Sequence, residues 1–410
     1  MRVVSESELR RVLADVPGTP RVVTSGNHAT PWQALRILDS AIPGYRLHML
    51  NAQPGIPDRE GVSYETAFVG PAMRGHPRTA YFPCRLSLLP YLLHQRLQPD
   101  IVLLHTSRPA NGAVTLGIEV NVLPAAIEAV RARSGLVIAQ ANTGMPVTFG
   151  DAVIGLDTVD YLIEVDEPLT THAPNGIDPV SAGIGARVAE LIPAGATLQL
   201  GIGAIPDATL HALAERRGLR IWSEMISDGV LALEKAGCLD PDSPVTASFC
   251  FGSVELYDWV DRNPRVRMLR TEKTNDPATI AAHPNLMSIN SALQVDLFAQ
   301  ANASRVGTRV YSGFGGQTDF IVGAMHSPGG HAVIALRSWH PKANVSAIVP
   351  LLPVPATSFQ HSYIVTEQGT AEIWGYHALE QAQHILDHAA HPDVRDGLRE
   401  AGRALGLPLR

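Results

Sequence analysis

Short apolar runs rich in β-branched residues alternate with helical patterns along nearly the whole chain, and this alternation constrains the fold more than any single motif. The clearest runs, which we predict to be strands, are 21–26, 100–107, 135–142 and 197–203. Alanine- and leucine-containing stretches between such runs predict helices at 123–133 and 207–217. Alternation of this kind is typical of α/β layers with largely parallel strands. We therefore predict an α/β fold.

The length of the chain predicts two domains. Its 410 residues are too many for one ordinary hydrophobic core. The stretch 166–178 contains proline, is polar and lacks periodicity, which favours a linker. We place an N-terminal domain at 1–170 and a C-terminal domain at 171–410.

Composition excludes several classes of partner. Hydrophobic residues make up 45% of the chain and charged residues 17%, as in a compact soluble protein. A formal net charge of −7 argues against a nucleic-acid partner, which favours a basic face. The N-terminus has no apolar signal core, and the apolar stretch 346–355 is short and interrupted by prolines. We expect a cytoplasmic protein with no membrane partner.

Cysteine and histidine spacing predicts no metal site. The cysteines lack CxxC spacing and are interpreted as buried reduced thiols: Cys84, Cys238 and Cys250. Three histidines share one face of a predicted C-terminal helix but lack the glutamate that a zinc protease requires after the first: His384, His388 and His391. We interpret them as a solvated face. The chain also lacks a GxSxG motif, which argues against a serine hydrolase.

The segment 198–229 contains the strongest candidate for chemistry. It predicts a strand, a glycine turn, a helix and a second strand, with Glu224 at the end of the second strand. Ligands bind at the carboxyl ends of strands in parallel sheets. The residues on either side of Glu224 in the Ser-Glu-Met tripeptide carry no positive charge. A salt bridge to a sequence neighbour therefore explains this acid poorly. We predict that the carboxylate of Glu224 meets a substrate.

The glycine turn at 201–206 allows two interpretations. It follows a strand and opens a helix, a context suited to holding a phosphate or a carbonyl oxygen. A dinucleotide fingerprint would need a third glycine where Pro206 stands. Glu224 nevertheless lies where a ribose-binding acid is expected, so a nicotinamide oxidoreductase remains an alternative.

A second glycine turn lies within 308–320, where Gly313, Gly315 and Gly316 precede Gln317. Glycines tolerate positive φ and allow the backbone to approach a ligand closely. Their N–H groups suit an oxyanion hole. A tight turn without a ligand, capped by Thr318 or Asp319, explains the same residues.

Taken together, several segments resemble one family. LQLGIGAIPDA, SEMISDGV, NLMSINSALQVDL, GFGGQTDF and VTEQGTAEIWG occur in the order and spacing of the acetyl-CoA hydrolase/transferase family. This is the class I CoA-transferase group that includes 4-hydroxybutyrate CoA-transferases, and the resemblance covers nearly the whole chain. It implies two tandem CoA-transferase-like α/β domains with mostly parallel sheets and an active site at their interface. It also implies a homo-oligomer, either a dimer or a tetramer.

The resemblance assigns roles by position. Glu224 matches the nucleophilic glutamate, Asn290 an asparagine that orients it, and Gly316 the loop over the thioester. Asn290 is alternatively an ordinary turn residue before a helix at Ser291. The residues expected to bind substrate or CoA are Gly201, Gly203, Ala204, Gly313, Gly315, Gln317, Ser25 and Gly26. The departures from the family pattern are Trp222, Phe314 and Gln368, which we expect near the acyl pocket.

The predicted function is transfer of CoA from an acyl-CoA to a carboxylic acid. A ping-pong mechanism would proceed through a glutamyl-CoA thioester at Glu224. CoA is then a substrate, and neither a tightly bound cofactor nor a metal is required. The nearest alternative is an acyl-CoA hydrolase that uses the same glutamate. A non-catalytic CoA-binding protein is a further alternative.

Overall fold

The structure is a computed structural model that describes residues 1–173, 176–356 and 358–410. Its α-helices are α1 (Glu6–Ala14), α2 (Trp32–Ala41), α3 (Leu89–His94), α4 (Leu123–Arg131), α5 (Pro179–Glu190), α6 (Ala204–Ala212), α7 (Asp228–Lys235), α8 (Val254–Val260), α9 (Thr271–Thr274), α10 (Pro277–Ala281), α11 (Gln317–His326), α12 (Ala378–His384) and α13 (Arg395–Ala404).

The strands of the first half are β1 (Arg2–Val3), β2 (Arg21–Thr24), β3 (Tyr45–His48), β4 (Val62–Thr66), β5 (Thr79–Tyr81), β6 (Ile101–Thr106), β7 (Ala113–Thr115), β8 (Leu136–Asn142), β9 (Phe149–Gly150), β10 (Val153–Gly155) and β11 (Tyr161–Val165). Those that follow are β12 (Thr197–Leu200), β13 (Arg220–Trp222), β14 (Met225–Ile226), β15 (Val245–Ala247), β16 (Phe249–Cys250), β17 (Val266–Met268), β18 (Leu286–Asn290), β19 (Gln294–Asp296), β20 (Ala301–Asn302), β21 (Arg305–Val306) and β22 (Arg309–Val310). The last are β23 (His331–Ala335), β24 (Trp339–His340), β25 (Val345–Ser346), β26 (Ile348–Val349), β27 (Tyr363–Thr366) and β28 (Gly369–Glu372).

The chain divides into two compact units that are not simply its two halves. The first comprises Met1–Ala173, Val245–Thr274 and Val310–Gly315. The second comprises Pro174–Pro244, Asn275–Arg309 and Gly316–Arg410. The sequence-based division at residue 170 therefore assigns 245–274 and 310–315 differently. Contacts made by these short segments, rather than their place in the chain, determine the unit to which they belong.

The first unit contains an 8-stranded sheet with the order β1-β11-β8-β6-β2-β3-β4-β5. Its neighbouring strands pair in parallel. Strands buried on both faces need continuous apolar runs, and β6, with the sequence IVLLHT, is buried at every position. The core of this unit gathers Leu9, Leu35, Tyr45, Tyr64 and Leu103 around the sheet.

The second unit contains strands in the order β28-β27-β23-β18-β12-β13. They are parallel except for the terminal β27–β28 pair. The chain runs from β12 to β13 on one side and returns as β18 on the other. The end of β12 is therefore the topological switch point of this sheet, where open α/β sheets bind ligands.

The predicted α/β class with mostly parallel sheets is confirmed. The four predicted strands are β2, β6, β8 and β12, and the two predicted helices correspond to α4 and α6. The helix α6 begins at Ala204, earlier than expected, because Gly203 adopts a φ of 124° and ends the preceding turn. The helix considered at Ser291 is wrong, since β18 extends to Asn290 and is followed by β19.

The predicted C-terminal histidine helix is interrupted. The helix α12 ends at His384, and residues 385–389 form a π-helical turn. His391 lies beyond that turn and caps a short 3₁₀ helix. The regular spacing of the three histidines therefore does not place them on one helical face.

Candidate active site

Glu224 lies directly after β13, between that strand and β14. The end of β13 is attached to the end of β12, because Ser223 Oγ donates to the carbonyl oxygen of Leu200 at 3.2 Å. The helix α7 begins four residues later, with Ser227 at its N-cap position. These connections place Glu224, a half-buried residue, at the carboxyl end of the parallel strands.

The carboxylate of Glu224 meets two other groups. Asn275 Nδ2 donates to Oε2 of Glu224 at 2.8 Å, and Asn275 is fully buried. Gly316 approaches the same oxygen so closely that a Cβ there would overlap both Glu224 Oε2 and Asn275 Nδ2. An acid, an amide and a glycine backbone therefore converge on one point. A side chain at position 316 would displace the Glu224 carboxylate or the Asn275 amide from this arrangement.

Burial raises the pKa of Glu224 to about 7. The hydrogen bond from Asn275 opposes this shift, whereas the negative charge of Asp319 adds to it. A glutamate with this pKa is partly ionised at neutral pH, and it is more basic than an ordinary carboxylate. A carboxylate tuned in this way is suited to nucleophilic or proton-transfer chemistry.

The N-terminus of α11 faces this point. Gly316 is the N-cap, and the helix runs through Gln317 and the buried Asp319. Helix N-termini carry partial positive charge and exposed N–H groups, which favour a developing negative charge. Nε2 of Gln317 is buried and has no hydrogen-bond partner among the described residues, so this donor is available to a ligand.

The glycine turn after β12 is open around its two glycines. At Gly201 and Gly203, an added Cβ would meet no described atom within 4 Å. Ala204 is the first residue of α6. The turn therefore offers backbone groups and free space at the switch point of the sheet.

Gly313 and Gly315 belong to the first unit and pack there against the end of β4 and the loop after it. Both have positive φ, 113° and 53° respectively. A Cβ at Gly313 would lie 2.8 Å from the carbonyl oxygen of Ala67, and one at Gly315 would lie 3.0 Å from the ring of Phe68. These two glycines are therefore required by conformation and packing, whatever they bind.

Ser25 and Gly26 follow β2 and are held by a buried acid, Glu119. Its carboxylate accepts from the backbone N–H groups of Gly26 and Asn27 at 3.4 and 3.2 Å. It also accepts from Nδ2 of Asn27 at 3.0 Å and of Asn121 at 3.1 Å. The N–H of Gly26 thus already has an internal partner. The hydroxyl of Ser25 is buried and has no partner among the described residues.

Asn290 lies at the end of β18 in a separate amide cluster. Its Nδ2 donates to Oε1 of Gln199 at 3.1 Å and to Oγ of Ser288 at 2.9 Å. Its Oδ1 accepts from Nε2 of Gln199 at 3.4 Å. The amide that contacts Glu224 is Asn275, which the sequence patterns did not indicate. The Asp276-Pro277 pair after it, typical of a helix start, was the available signal.

Two departures from the family pattern have defined contacts. Trp222 is partly buried and packs against a cluster of buried residues from α10, β18 and α11. Nε2 of Gln368 donates to Oγ of Ser338 at 3.4 Å and to Oε1 of Glu367 at 3.3 Å. The expectation that Trp222 shapes the acyl pocket therefore stays a prediction.

Neither a metal centre nor a membrane span is found in the described part of the chain. Within 1–173, 176–356 and 358–410, no cluster of three His, Cys, Asp or Glu side chains is arranged to hold a metal ion. No helix in those ranges is long and apolar enough to cross a bilayer.

Comparison with protein families gives two matches. Residues 63–173 match the acetyl-CoA hydrolase/transferase N-terminal domain. Residues 252–402 match the C-terminal domain of the same family. Among curated proteins, the chain is similar to the 4-hydroxybutyrate coenzyme A transferase of Clostridium kluyveri. The two are 38% identical over 371 residues, which covers 86% of this chain and 85% of the relative.

Solved structures give the same result. RipA from Yersinia pestis superimposes with a TM-score of 0.92 at 26% identity, covering 99% of this chain and 98% of that one. The 4-hydroxybutyrate CoA-transferase from Porphyromonas gingivalis gives a TM-score of 0.82 at 30% identity, with 98% of each chain covered. The similarity therefore extends over essentially the full length of the chain.

Proposed function

Because the chain belongs to the acetyl-CoA hydrolase/transferase family, we propose that it moves CoA from an acyl-CoA to a carboxylic acid through a covalent intermediate at Glu224. Membership makes it an enzyme of the CoA-transferase type, with coenzyme A as a substrate. The covalent route and the identity of the residues that perform it are our proposal.

One observation carries the proposal: Asn275 and Gly316 converge on the carboxylate oxygen Oε2 of Glu224. A structural carboxylate is normally saturated with donors or paired with a cation. Here the donor described is a single amide, and burial raises the pKa of Glu224 to about 7. This combination supports a nucleophile held in position.

In the first step, the ionised carboxylate of Glu224 attacks the carbonyl carbon of the acyl-CoA thioester. The carbon–sulfur bond breaks, so that an acyl-glutamyl anhydride forms and CoA leaves as the thiolate. The thiolate then attacks the glutamyl carbonyl carbon. This second attack releases the original acid and leaves a glutamyl-CoA thioester.

An acceptor carboxylate reverses the sequence. It attacks the glutamyl-CoA thioester, forms a new mixed anhydride and frees the thiolate. The thiolate attacks the carbonyl that came from the acceptor, which regenerates Glu224 and releases the new acyl-CoA. The two half-reactions share one site, so the kinetics should be ping-pong.

The neighbouring groups have distinct tasks in this scheme. Nδ2 of Asn275 holds Oε2 of Glu224 and remains beside that oxygen when the glutamyl carbon becomes tetrahedral. The N-terminus of α11 adds partial positive charge where negative charge develops. A single donor of this type typically contributes about 3 kcal/mol to transition-state stabilisation.

Hydrolysis differs from transfer only in the final acceptor. Water that reaches the glutamyl thioester would release free CoA, and exclusion of water from the loaded site favours transfer. The family description includes both activities. The two outcomes therefore need a direct measurement.

The test is to incubate the enzyme with acetyl-, propionyl- and butyryl-CoA and to follow every CoA species by chromatography. Parallel reactions contain no acid, or one of acetate, succinate, 4-hydroxybutyrate and cyclohexane-1-carboxylate. A new acyl-CoA that depends on the added acid is the expected result, with no product from Glu224→Ala. Free CoA without an acid would indicate a hydrolase. Equal turnover by Glu224→Ala would contradict the proposal.

A further inference from the structure

We propose that Trp222 is a positioning residue that joins the three elements carrying Glu224, Asn275 and Gly316. The inference rests on the proposed function and adds a role for a residue that neither the reaction nor the family pattern explains. It concerns one small apolar cluster in the second unit, defined by Trp222, Ile280, Leu286, Phe320 and Ala324.

Each element contributes a side chain to this cluster close to its active-site group. Trp222 ends β13 and precedes Glu224 by two residues. Ile280 lies in α10, which begins two residues after Asn275. Phe320 lies in the first turn of α11, whose N-cap is Gly316. Contacts inside the cluster therefore set the relative positions of the groups that meet at Glu224.

The cluster is rigid because its other members are completely buried. Ile280, Leu286, Phe320 and Ala324 each have 0% exposure. Closely packed side chains cannot shift without displacing their neighbours, so they transmit small displacements. Trp222 packs against this cluster and stands two residues before Glu224 in the chain.

A second contact fixes the indole ring itself. The ring of His283 lies against Trp222 in a tilted arrangement, with a centroid separation of 4.3 Å and an interplanar angle of 34°. Burial and the nearby Arg220 lower the pKa of His283, which disfavours a charged imidazole beside the indole. Trp222 therefore contacts His283 as well as the cluster, and both contacts limit the motion of its ring.

The helices α10 and α11 are themselves locked together at a glycine. A Cβ on Gly323 would overlap Cβ and Cγ2 of Ile280 and would lie 3.2 Å from the carbonyl oxygen of Pro277. The close approach holds the start of α10, and so Asn275, at a fixed distance from α11. Trp222, the last residue of β13, packs against the same cluster and so links β13 to these two helices.

The experiment compares Trp222→Leu and Trp222→Phe with the wild-type enzyme in the CoA assay. A displacement of about 1 Å at a reacting group can lower a rate by about a hundredfold. We expect kcat of Trp222→Leu to fall by at least about tenfold, while KM for each acyl-CoA changes by less than about threefold. Trp222→Phe keeps an aromatic ring and should recover most of kcat.

Two further readouts separate positioning from other roles. The relative kcat/KM values for acetyl-, propionyl- and butyryl-CoA should stay unchanged in Trp222→Leu. If loosening the cluster increases the hydration of the Glu224 carboxylate, its pKa falls, so we expect the acid limb of the pH profile to move to lower pH. A purely structural loss would lower the amount of active enzyme without moving this limb.

Trp339 provides a matched control. It is also a partly buried tryptophan in the second unit, and its ring lies against His391 at a centroid separation of 5.2 Å. Trp339→Leu should leave kcat and the pH profile unchanged. If Trp222→Leu does not fold, Gly323→Ala is the second variant. It perturbs the contact between α11 and Ile280 of α10, and it should lower kcat to the same extent.

The outcomes distinguish this inference from the proposed function. Absence of CoA transfer and hydrolysis in the wild-type enzyme would reject the proposed function. Normal kcat in folded Trp222→Leu, in an otherwise active enzyme, would reject only the positioning role. A changed order of acyl-CoA preference would also reject it, because that result would place Trp222 in the acyl pocket.

Discussion

Glu119 and Glu224 are both glutamates in environments that disfavour charge, yet their surroundings differ. Burial raises the pKa of each carboxyl. Glu119 accepts from two backbone N–H groups and from the amides of Asn27 and Asn121. Glu224 accepts from Asn275 and lies near the negative Asp319.

The contrast separates a carboxylate that is fixed by its donors in one unit from the carboxylate to which we assign the chemistry in the other. Four N–H donors use the acceptor capacity of the Glu119 carboxylate and fix the turn after β2. The Glu224 carboxylate accepts one described hydrogen bond and can accept others. Its raised pKa makes it more basic and more nucleophilic than an ordinary carboxylate. The following variants test this distinction, from the largest expected effect to the smallest.

Glu224→Gln should lower kcat by at least about a thousandfold, because the amide cannot form the anhydride. The fold should be unaffected, since the amide has nearly the same size and removes a poorly satisfied carboxylate. The measurements are steady-state kinetics and thermal unfolding. Activity of Glu224→Gln within tenfold of the wild-type value would contradict a nucleophilic role for Glu224. The proposed distinction between Glu224 and Glu119 would then be lost.

Asn275→Ala should lower kcat by about a hundredfold, the effect of losing one preorganised donor. Its hydrogen bond also holds the pKa of Glu224 down, so its loss should move the acid limb of kcat/KM to higher pH. Asn290→Ala is the comparison, because Asn290 bonds to Gln199 and Ser288. A larger kcat effect in Asn290→Ala would favour the role that the family resemblance assigns to it.

Glu119→Ala should destabilise the protein by about 3 kcal/mol, because several buried N–H donors lose their acceptor. The acid limb of kcat/KM should remain where it is in the wild-type enzyme. Denaturant unfolding and a pH–rate profile check both parts. Asn121→Gly is the matched control, since it removes one donor and tolerates the φ of 41° at that position. A shifted acid limb would make Glu119 a participant in the chemistry.

Asp319→Asn should give the smallest effect, a displacement of the pH profile with little change in the maximum rate. The charge of Asp319 raises the pKa of Glu224, so its removal should move the acid limb to lower pH. The direction is opposite to that for Asn275→Ala. Shifts in the same direction for both variants would contradict the assigned causes.

The sequence predicted the elements that depend on local pattern. The strand, turn and helix around Gly201 follow from an apolar run, two glycines and a helical period, and all three are present. The position of Glu224 at the end of β13 was predicted for the same reason. Gly316 was also placed beside the site by its motif, and the structure brings it against Glu224.

Asn275 could not be predicted in the same way. It follows the short polar helix α9, and no periodic pattern points from that stretch toward Glu224. Its contact arises because α10 packs against α11 through Gly323 and Ile280, which is a tertiary property. The family resemblance placed Trp222 near the acyl pocket, which stays a prediction, and the structure adds that Trp222 packs against the cluster that contains Phe320.

The most direct test of the central claim is to identify the covalent intermediate. The enzyme is incubated with acyl-CoA in the absence of an acceptor acid, quenched, and measured by intact and peptide mass spectrometry. The account predicts an added mass of one CoA less one water, located on the peptide that contains Glu224 and absent from Glu224→Gln. Turnover without such an adduct, or an adduct that persists in Glu224→Gln, would contradict the account.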